Sequence, residues 1–172
     1  MKNLIYIFIL FPVIAFAQSN FLLKENRLIW QKVYEEKATP ELFKNHLLQN
    51  LEFGYIEVMD DKIIATINNL KIDYKGYGTS ELFTSMYIAR NNYDALAIIE
   101  FKENRYRITI KDIMAIADYS DGLTEQGEKT QLERFATNRK GFKKRFIEKD
   151  ALIFDYTFNK LFKPKQQSDN DW

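Results

Sequence analysis

No cysteine occurs anywhere in the chain. That single absence removes thiol nucleophiles, cysteine-based metal sites, disulfide staples and a lipid-anchored lipoprotein. Histidine is nearly absent too: His46 stands alone, which limits a Ser/His/Asp system to one base and excludes multi-histidine metal centres. No GxSxG, HExxH or P-loop pattern is present. Net charge is also missing, with 25 Lys+Arg against 24 Asp+Glu. A neutral chain lacks the positive field that drives nucleic-acid binding through counterion release, so no nucleic-acid partner is expected. No cofactor is implied by any pattern in the sequence.

Long apolar runs are confined to the beginning. MKNLIYIFILFPVIAFAQ carries one lysine, an uncharged stretch from Asn3 to Asn20, and Ala15-Phe16-Ala17 before Gln18. This is the pattern of a secretory signal peptide over residues 1–17 with cleavage after Ala17. The apolar core from Leu4 to Phe16 is shorter than the ~20 residues a spanning helix needs, and Pro12 would kink it. Cleavage removes Lys2 and leaves 24 charges of each sign. The expected product is soluble, periplasmic or extracellular, and without a stable membrane span. Residues 18–163 suffice for a single domain with its own core, and 164–172, opening with Pro164, are expected to be a disordered tail.

The clearest structural signal is Asn91 to Ile116. Ala95, Ala97, Ile99 and Phe101 alternate on one side, and after Glu103-Asn104 the set resumes at Tyr106, Ile108 and Ile110. A period of two on both sides of a two-residue connection predicts a β-hairpin with one buried face. The register follows: Phe101 opposite Tyr106, Ile99 opposite Ile108, Ala97 opposite Ile110. On the other face Lys102 meets Arg105 and Glu100 meets Arg107 as a cross-strand ion pair. Asn104 tolerates the left-handed conformation that such a turn favours. Aspartate at 108 should unfold the domain, whereas aspartate at 109 should be mild.

Around this hairpin the other elements fall into order. Ser19 to Glu25 reads as a frayed lead-in and Arg27 to Tyr34 as a first strand. Thr39-Pro40-Glu41 supplies an N-cap, a proline for the first turn and an acidic residue for the helix dipole. The helix should run to about Asn50, with Leu42, Phe43, Leu47 and Leu51 on one arc. Gly54 to Met59 and Lys62 to Ile67 form a second hairpin about Asp60-Asp61. A change of phase between Ile67 and Leu70 predicts a bulge near Asn68-Asn69. Lys75 to Asp94 is irregular, with a short strand at Met86 to Ala89, and reads as a functional loop or a cover for a sheet edge. Leu132 and Phe135 mark a short amphipathic piece that Gly141 breaks. From Phe146 to Phe162 the apolar residues recur at helical spacing. The fold class is α+β: an antiparallel sheet of about five strands with helices on one face and the other face partly open.

Trp30 to Tyr34 (WQKVY), the Ile63 to Ile67 strand after Asp60-Asp61 and above all Glu100 to Ile113 (EFKENRYRITIKDI) resemble a family of exported bacterial proteins of unknown function with a TBP-like fold. The resemblance covers about 27–116, with 130–163 as a helical extension. It implies the fold and brings no catalytic residues. Likeness of fold to TBP does not transfer DNA binding.

Few constellations point to chemistry. His46 lies on the helical arc between Leu42 and Phe43 and reads as a half-buried packing residue. Gly76-Tyr77-Gly78-Thr79 lacks the lysine of a phosphate loop and reads as a turn. Asp118, Ser120, Asp121 and Gly122 miss the spacing of a calcium loop and suit an Asx-type turn. Asp60 and Asp61 are turn neighbours, not a cleft pair. The basic run from Arg139 to Arg145 reads as a solvated linker. Two surfaces remain as partner sites: the hairpin face with Arg105, Arg107 and Lys111, and the irregular segment with Tyr77, Tyr87 and Tyr93. The expected function is a non-enzymatic binding or envelope-assembly module with an envelope or extracellular partner. The alternative is a hydrolase acting on an envelope or extracellular polymer through Asp or Glu.

Overall fold

The computed structural model describes residues 19–163. The expected signal peptide, its expected cleavage point and the expected tail 164–172 lie outside the described residues. Alternation of apolar and polar side chains builds the sheet. Strand β1 is Phe21–Lys24, β2 Arg27–Tyr34, β3 Phe53–Val58, β4 Lys62–Lys71, β5 Asn91–Lys102, β6 Arg105–Ala117 and β7 Lys129–Gln131. Among the described residues these form one antiparallel seven-stranded sheet in the order β1-β2-β6-β5-β4-β3, with β7 beside the far half of β6. A two-stranded ribbon, β8 (Thr137–Asn138) and β9 (Gly141–Phe142), stands apart.

The central hairpin has the register that alternation predicts. Phe101 pairs with Tyr106, Ile99 with Ile108 and Ala97 with Ile110, while Lys102 meets Arg105 and Glu100 meets Arg107. The left-handed turn does not form at Asn104; Glu25 and Asn26, between β1 and β2, adopt it instead with φ of 50° and 62°. Side-chain alternation over twelve-residue strands, not turn chemistry, therefore sets this register.

Besides a shift between Phe53 and Ile56 on β3, two bulges re-phase the long strands. The shift between Ile67 and Leu70 lies at the predicted Asn68-Asn69, and Asn69 takes φ 54°. A second shift opposite Asp94 to Leu96 falls at Asp112, φ 53°. These extra residues keep Leu70 and Ile113 in the core after the parity changes.

The count of about five strands was short by two. Phe21–Lys24 is not a frayed lead-in but strand β1: Phe21 is buried opposite Trp30 and packs edge-on to Phe146 at 5.1 Å. β7 has three residues and no apolar alternation to announce it. Met86–Ala89 is also corrected, from strand to one helical turn, α2. Four residues are too few to separate the two periods.

Helix α1 (Pro40–Leu48) starts as its sequence predicts, with Thr39 Oγ1 accepting from Leu42 N at 3.3 Å. Phe43 and Leu47 are buried, but Leu42 and Leu51 are exposed, so the expected arc is half as wide. One turn, α3 (Glu133–Ala136), follows β7. A π turn over Phe146–Asp150 leads into α4 (Ala151–Leu161). Trp30 against Phe158 at 5.4 Å and Tyr93 against Phe154 at 5.1 Å place α4 on the sheet. Phe43 meets Tyr106 at 4.8 Å on the same face. Each such large apolar side chain, fully buried, contributes roughly 1.5–3 kcal/mol. Among the described residues no helix is long and apolar enough to cross a membrane.

Among the described residues the opposite face carries no helix. Val33, Arg107, Glu100 and Lys62 form one row across it, and Gln31, Thr109, Ile98, Ile64 and Glu57 the next. Thr109 departs from expectation: at 9 % exposure it is nearly enclosed, and its hydroxyl accepts from Gln31 Nε2 at 2.9 Å. Its neighbours on three strands, rather than a helix, shield it.

Candidate functional site

The six residues expected to meet a partner do not come together. Arg107 is held by Glu100, whose Oε2 accepts from its Nη2 at 2.7 Å and its Nε at 2.9 Å. Arg105 approaches Glu35 at 3.9 Å beside the hairpin turn. Lys111 is half-buried opposite Leu96.

Tyr93 is not on the surface at all. It is buried in the core and its hydroxyl donates to Tyr87 O at 2.7 Å. Burial first, then the Asp150 charge, hold its phenol well above the ordinary range. Tyr87 stacks on Phe135 at 4.6 Å and donates to Asp150 Oδ2 at 2.9 Å, so it too is structural. Of the three tyrosines Tyr77 alone is exposed, edge-on to Tyr156 at 5.9 Å. An odd-numbered Tyr93 in an apolar alternation, Tyr93-Ala95-Ala97, carried the signal for burial.

Three polar side chains from the π turn and α4, Asp150, Asp155 and Asn159, are each held by donors from other elements. Asp150, at the end of the π turn, accepts from Ser85 Oγ at 2.8 Å and from Tyr87, while Arg145 Nε donates to Ser85 Oγ at 2.8 Å. Arg145, though more than half exposed, is thus tied to the domain, so the run 139–145 is not only a solvated linker. Asp155 Oδ1 accepts from Asn20 Nδ2 at 2.6 Å and Trp30 Nε1 at 2.7 Å. Asn159 Oδ1 accepts from Lys32 Nζ at 2.6 Å and Tyr34 Oη at 2.8 Å. Asp121 Oδ1 caps Leu123 N and Thr124 N, both at 2.8 Å, the Asx-type turn that its sequence suggests.

A groove of about 630 Å³ lies between α1, β4 and α4 and is lined by His46, Glu52, Lys71, Asp73, Lys160 and Leu161 among others. His46 is half-buried there, its Nε2 2.8 Å from Leu161 O and its ring edge-on to Phe43. Asp73 is fixed by Lys160 Nζ at 2.7 Å and Gly76 N at 2.8 Å. Those two hydrogen bonds, Lys160 first, hold its carboxyl below the ordinary range. A carboxylate lowered in this way is a poor general acid.

The irregular segment supplies three well-exposed apolar side chains close together in sequence. A 3₁₀ turn at Glu81–Phe83 carries Leu82, 93 % exposed, and Phe83, 79 % exposed; Met86 follows at 58 %. Leu82 and Met86 share a groove of about 330 Å³ with Arg90. Arg90 lies over the Tyr119 ring at 5.8 Å, and Tyr119 and the 96 % exposed Leu123 line a second recess beside it. Apolar tips of this kind were visible in the sequence as Glu-Leu-Phe-Thr-Ser-Met, a stretch without the alternation that would bury it.

The structure is similar to that of a TBP-like protein from Parabacteroides distasonis, with a TM-score of 0.48 and 13% identity over 82% of this chain and 94% of that one. It is likewise similar to a DUF4468 family protein from Bacteroides ovatus, with a TM-score of 0.47 and 10% identity over 81% of this chain and 83% of that one. TBP-like is also the description that the resemblance of Glu100 to Ile113 implies. No family model and no curated protein matches the chain.

Proposed function

We propose that the chain is a non-enzymatic binding module, exported and working in the envelope or outside the cell, whose contact surface is the apolar tip Leu82-Phe83-Met86. The single observation that carries this is the exposure of those three side chains, two on the 3₁₀ turn and one at the start of α2. Contiguous exposed apolar surface marks protein contacts, because its desolvation on docking is favourable. Arg107, by contrast, already has its carboxylate. The tip is therefore preferred over the hairpin face as the partner site.

The test is a pull-down from envelope extract with three forms: the native chain, Leu82→Asp with Phe83→Asp, and Arg105→Glu with Arg107→Glu. Loss of a captured protein in the first variant alone is the expected result. A tip variant that folds and keeps every partner overturns the reading. N-terminal sequencing of the exported product tests the compartment, with Gln18 as the expected first residue.

A hydrolase acting on an envelope or extracellular polymer remains the second reading, favoured by Glu52 and Asp73 on the wall of the 630 Å³ groove. It requires polymer cleavage that Glu52→Gln with Asp73→Asn abolishes.

A further inference from the structure

Next to the apolar tip, where β5 begins and β6 ends, a recess of about 240 Å³ opens among Asn91, Ala115, Ala117, Thr130 and the rings of Tyr119 and Phe135. Asn91 is 6 % exposed, yet its Oδ1 has no hydrogen-bond partner among the described residues. A buried acceptor without a partner is uncommon, since its desolvation is uncompensated. Asp150, Asp155 and Asn159, the other inward polar groups described above, are each satisfied by two or more donors or partners.

The walls around Asn91 are preset. Tyr87, which does not line the recess, stacks on Phe135 with 8° between the rings, and Arg90 holds Tyr119 in the same way from outside. Ala115 and Ala117 are both buried and present only methyl groups. Glu128 and Arg134, also lining the recess, carry opposite charges.

We propose that this recess binds a single pyranose residue, either as a free glycoside or as the end of a glycan. A sugar hydroxyl is at once donor and acceptor; Asn91 Oδ1 is enclosed behind the wall of the recess, and a turn of the side-chain amide brings it to the bound hydroxyl. The carbon face of a pyranose suits methyl groups and an aromatic ring, while its other hydroxyls reach Thr130 and the charged pair. The volume lies below the ~300 Å³ at which drug-sized sites begin, which fits one ring. Opposite charges at solvent-accessible positions give no net preference for an anion or a cation, so a neutral polyol is favoured over a singly charged ligand.

The experiment is saturation-transfer NMR and titration calorimetry on the full chain with methyl glycosides of gluco, galacto and manno configuration, N-acetylglucosamine and chitotriose. Transfer to at least one sugar is expected, with Asn91→Ala weakening it about tenfold while leaving the melting temperature equal or higher, because an unsatisfied acceptor has gone. Binding of a free glycoside identifies monosaccharide recognition, and binding of chitotriose alone identifies a glycan end; both support the site. The Leu82→Asp and Phe83→Asp variant should retain sugar binding, so failure of the protein-contact reading and failure of this one are separable. No transfer to any sugar, or binding undiminished in both Asn91→Ala and Thr130→Ala, overturns the proposal and leaves the recess to water.

Discussion

Arg107 places two of its donors on one carboxylate oxygen of Glu100, directly across the central hairpin, at 2.7 and 2.9 Å. Both side chains are about half exposed, so solvent and salt screen the pair. Replacing Glu100 with Gln should cost roughly 0.2–1 kcal/mol. A double-mutant cycle with Arg107→Ala, read by urea unfolding, should give a coupling that shrinks at high salt. Coupling unchanged by salt would contradict an exposed pair.

Ile108 and Thr109 are neighbours on opposite faces of β6. Ile108 is fully buried against the helices, so Ile108→Asp puts an unpaired charge in the core and should abolish folding. Thr109 also has little access to water and accepts from Gln31. Thr109→Asp is thus expected to destabilise by about 1–3 kcal/mol, more than its place on the uncovered face suggests. Equal melting temperatures for the two variants would place the register wrongly.

How far the sequence carried can be judged from these same residues. Ile99, Ile108 and Ile110 announced their face because alternation over long strands is a local property that the fold merely keeps. The Asn68-Asn69 bulge was legible for the same reason, as a change of phase. Phe21–Lys24 and Lys129–Gln131 were not, since strands so short acquire their pairing from partners distant in sequence. The candidate site was least legible. The alternation Tyr93-Ala95-Ala97 did mark Tyr93 for the buried face, but its partner there, Phe154 of α4, is a tertiary neighbour, and the isolation of Asn91 inside a recess depends on β6, β7 and α3 together.

Asp73 makes acid sensitivity a specific expectation. Its folded-state carboxyl lies below the ordinary 3.8 because Lys160 and then Gly76 N stabilise the anion. A lowered carboxyl contributes stability that is fully present above the unfolded-state value and is lost as pH falls through the folded one. Native protein and Asp73→Asn should therefore differ in melting temperature at neutral pH and converge once the pH has fallen through the lowered folded-state value. A difference that persists undiminished into strong acid would show that the carboxylate is not the cause.

At high pH the buried phenols act instead. Tyr34, Tyr87, Tyr93 and Tyr106 are all raised above the ordinary 10.0, in each case chiefly by burial, with Asp155, Asp150 or Glu36 adding to it. Their contribution is fully present below the unfolded-state value and falls as pH climbs past it, because the unfolded chain releases protons that the folded one retains. Phenolate absorbance should rise in two stages, exposed tyrosines first and these four only with loss of structure. A single smooth titration with circular dichroism unchanged would refute this.

Asp150 ties the π turn to the irregular segment. Its Oδ2 accepts from Ser85 and Tyr87, and Arg145 stands 3.7 Å away. Asp150→Ala leaves a serine and a tyrosine donor inside the protein with no acceptor, together with an arginine that has lost its countercharge. Arg145 is itself more than half exposed, so water relieves part of that charge. The expected loss is therefore roughly 2–3 kcal/mol, below the 3–5 typical of a fully buried pair. Ser85→Ala alone should cost less, because Tyr87 and Arg145 still hold the carboxylate. Since the groups act as one network, Ser85→Ala with Asp150→Ala should lose less than the two single losses added. Denaturant unfolding of the three variants decides it, and strict additivity would mean that Ser85 and Asp150 are not coupled.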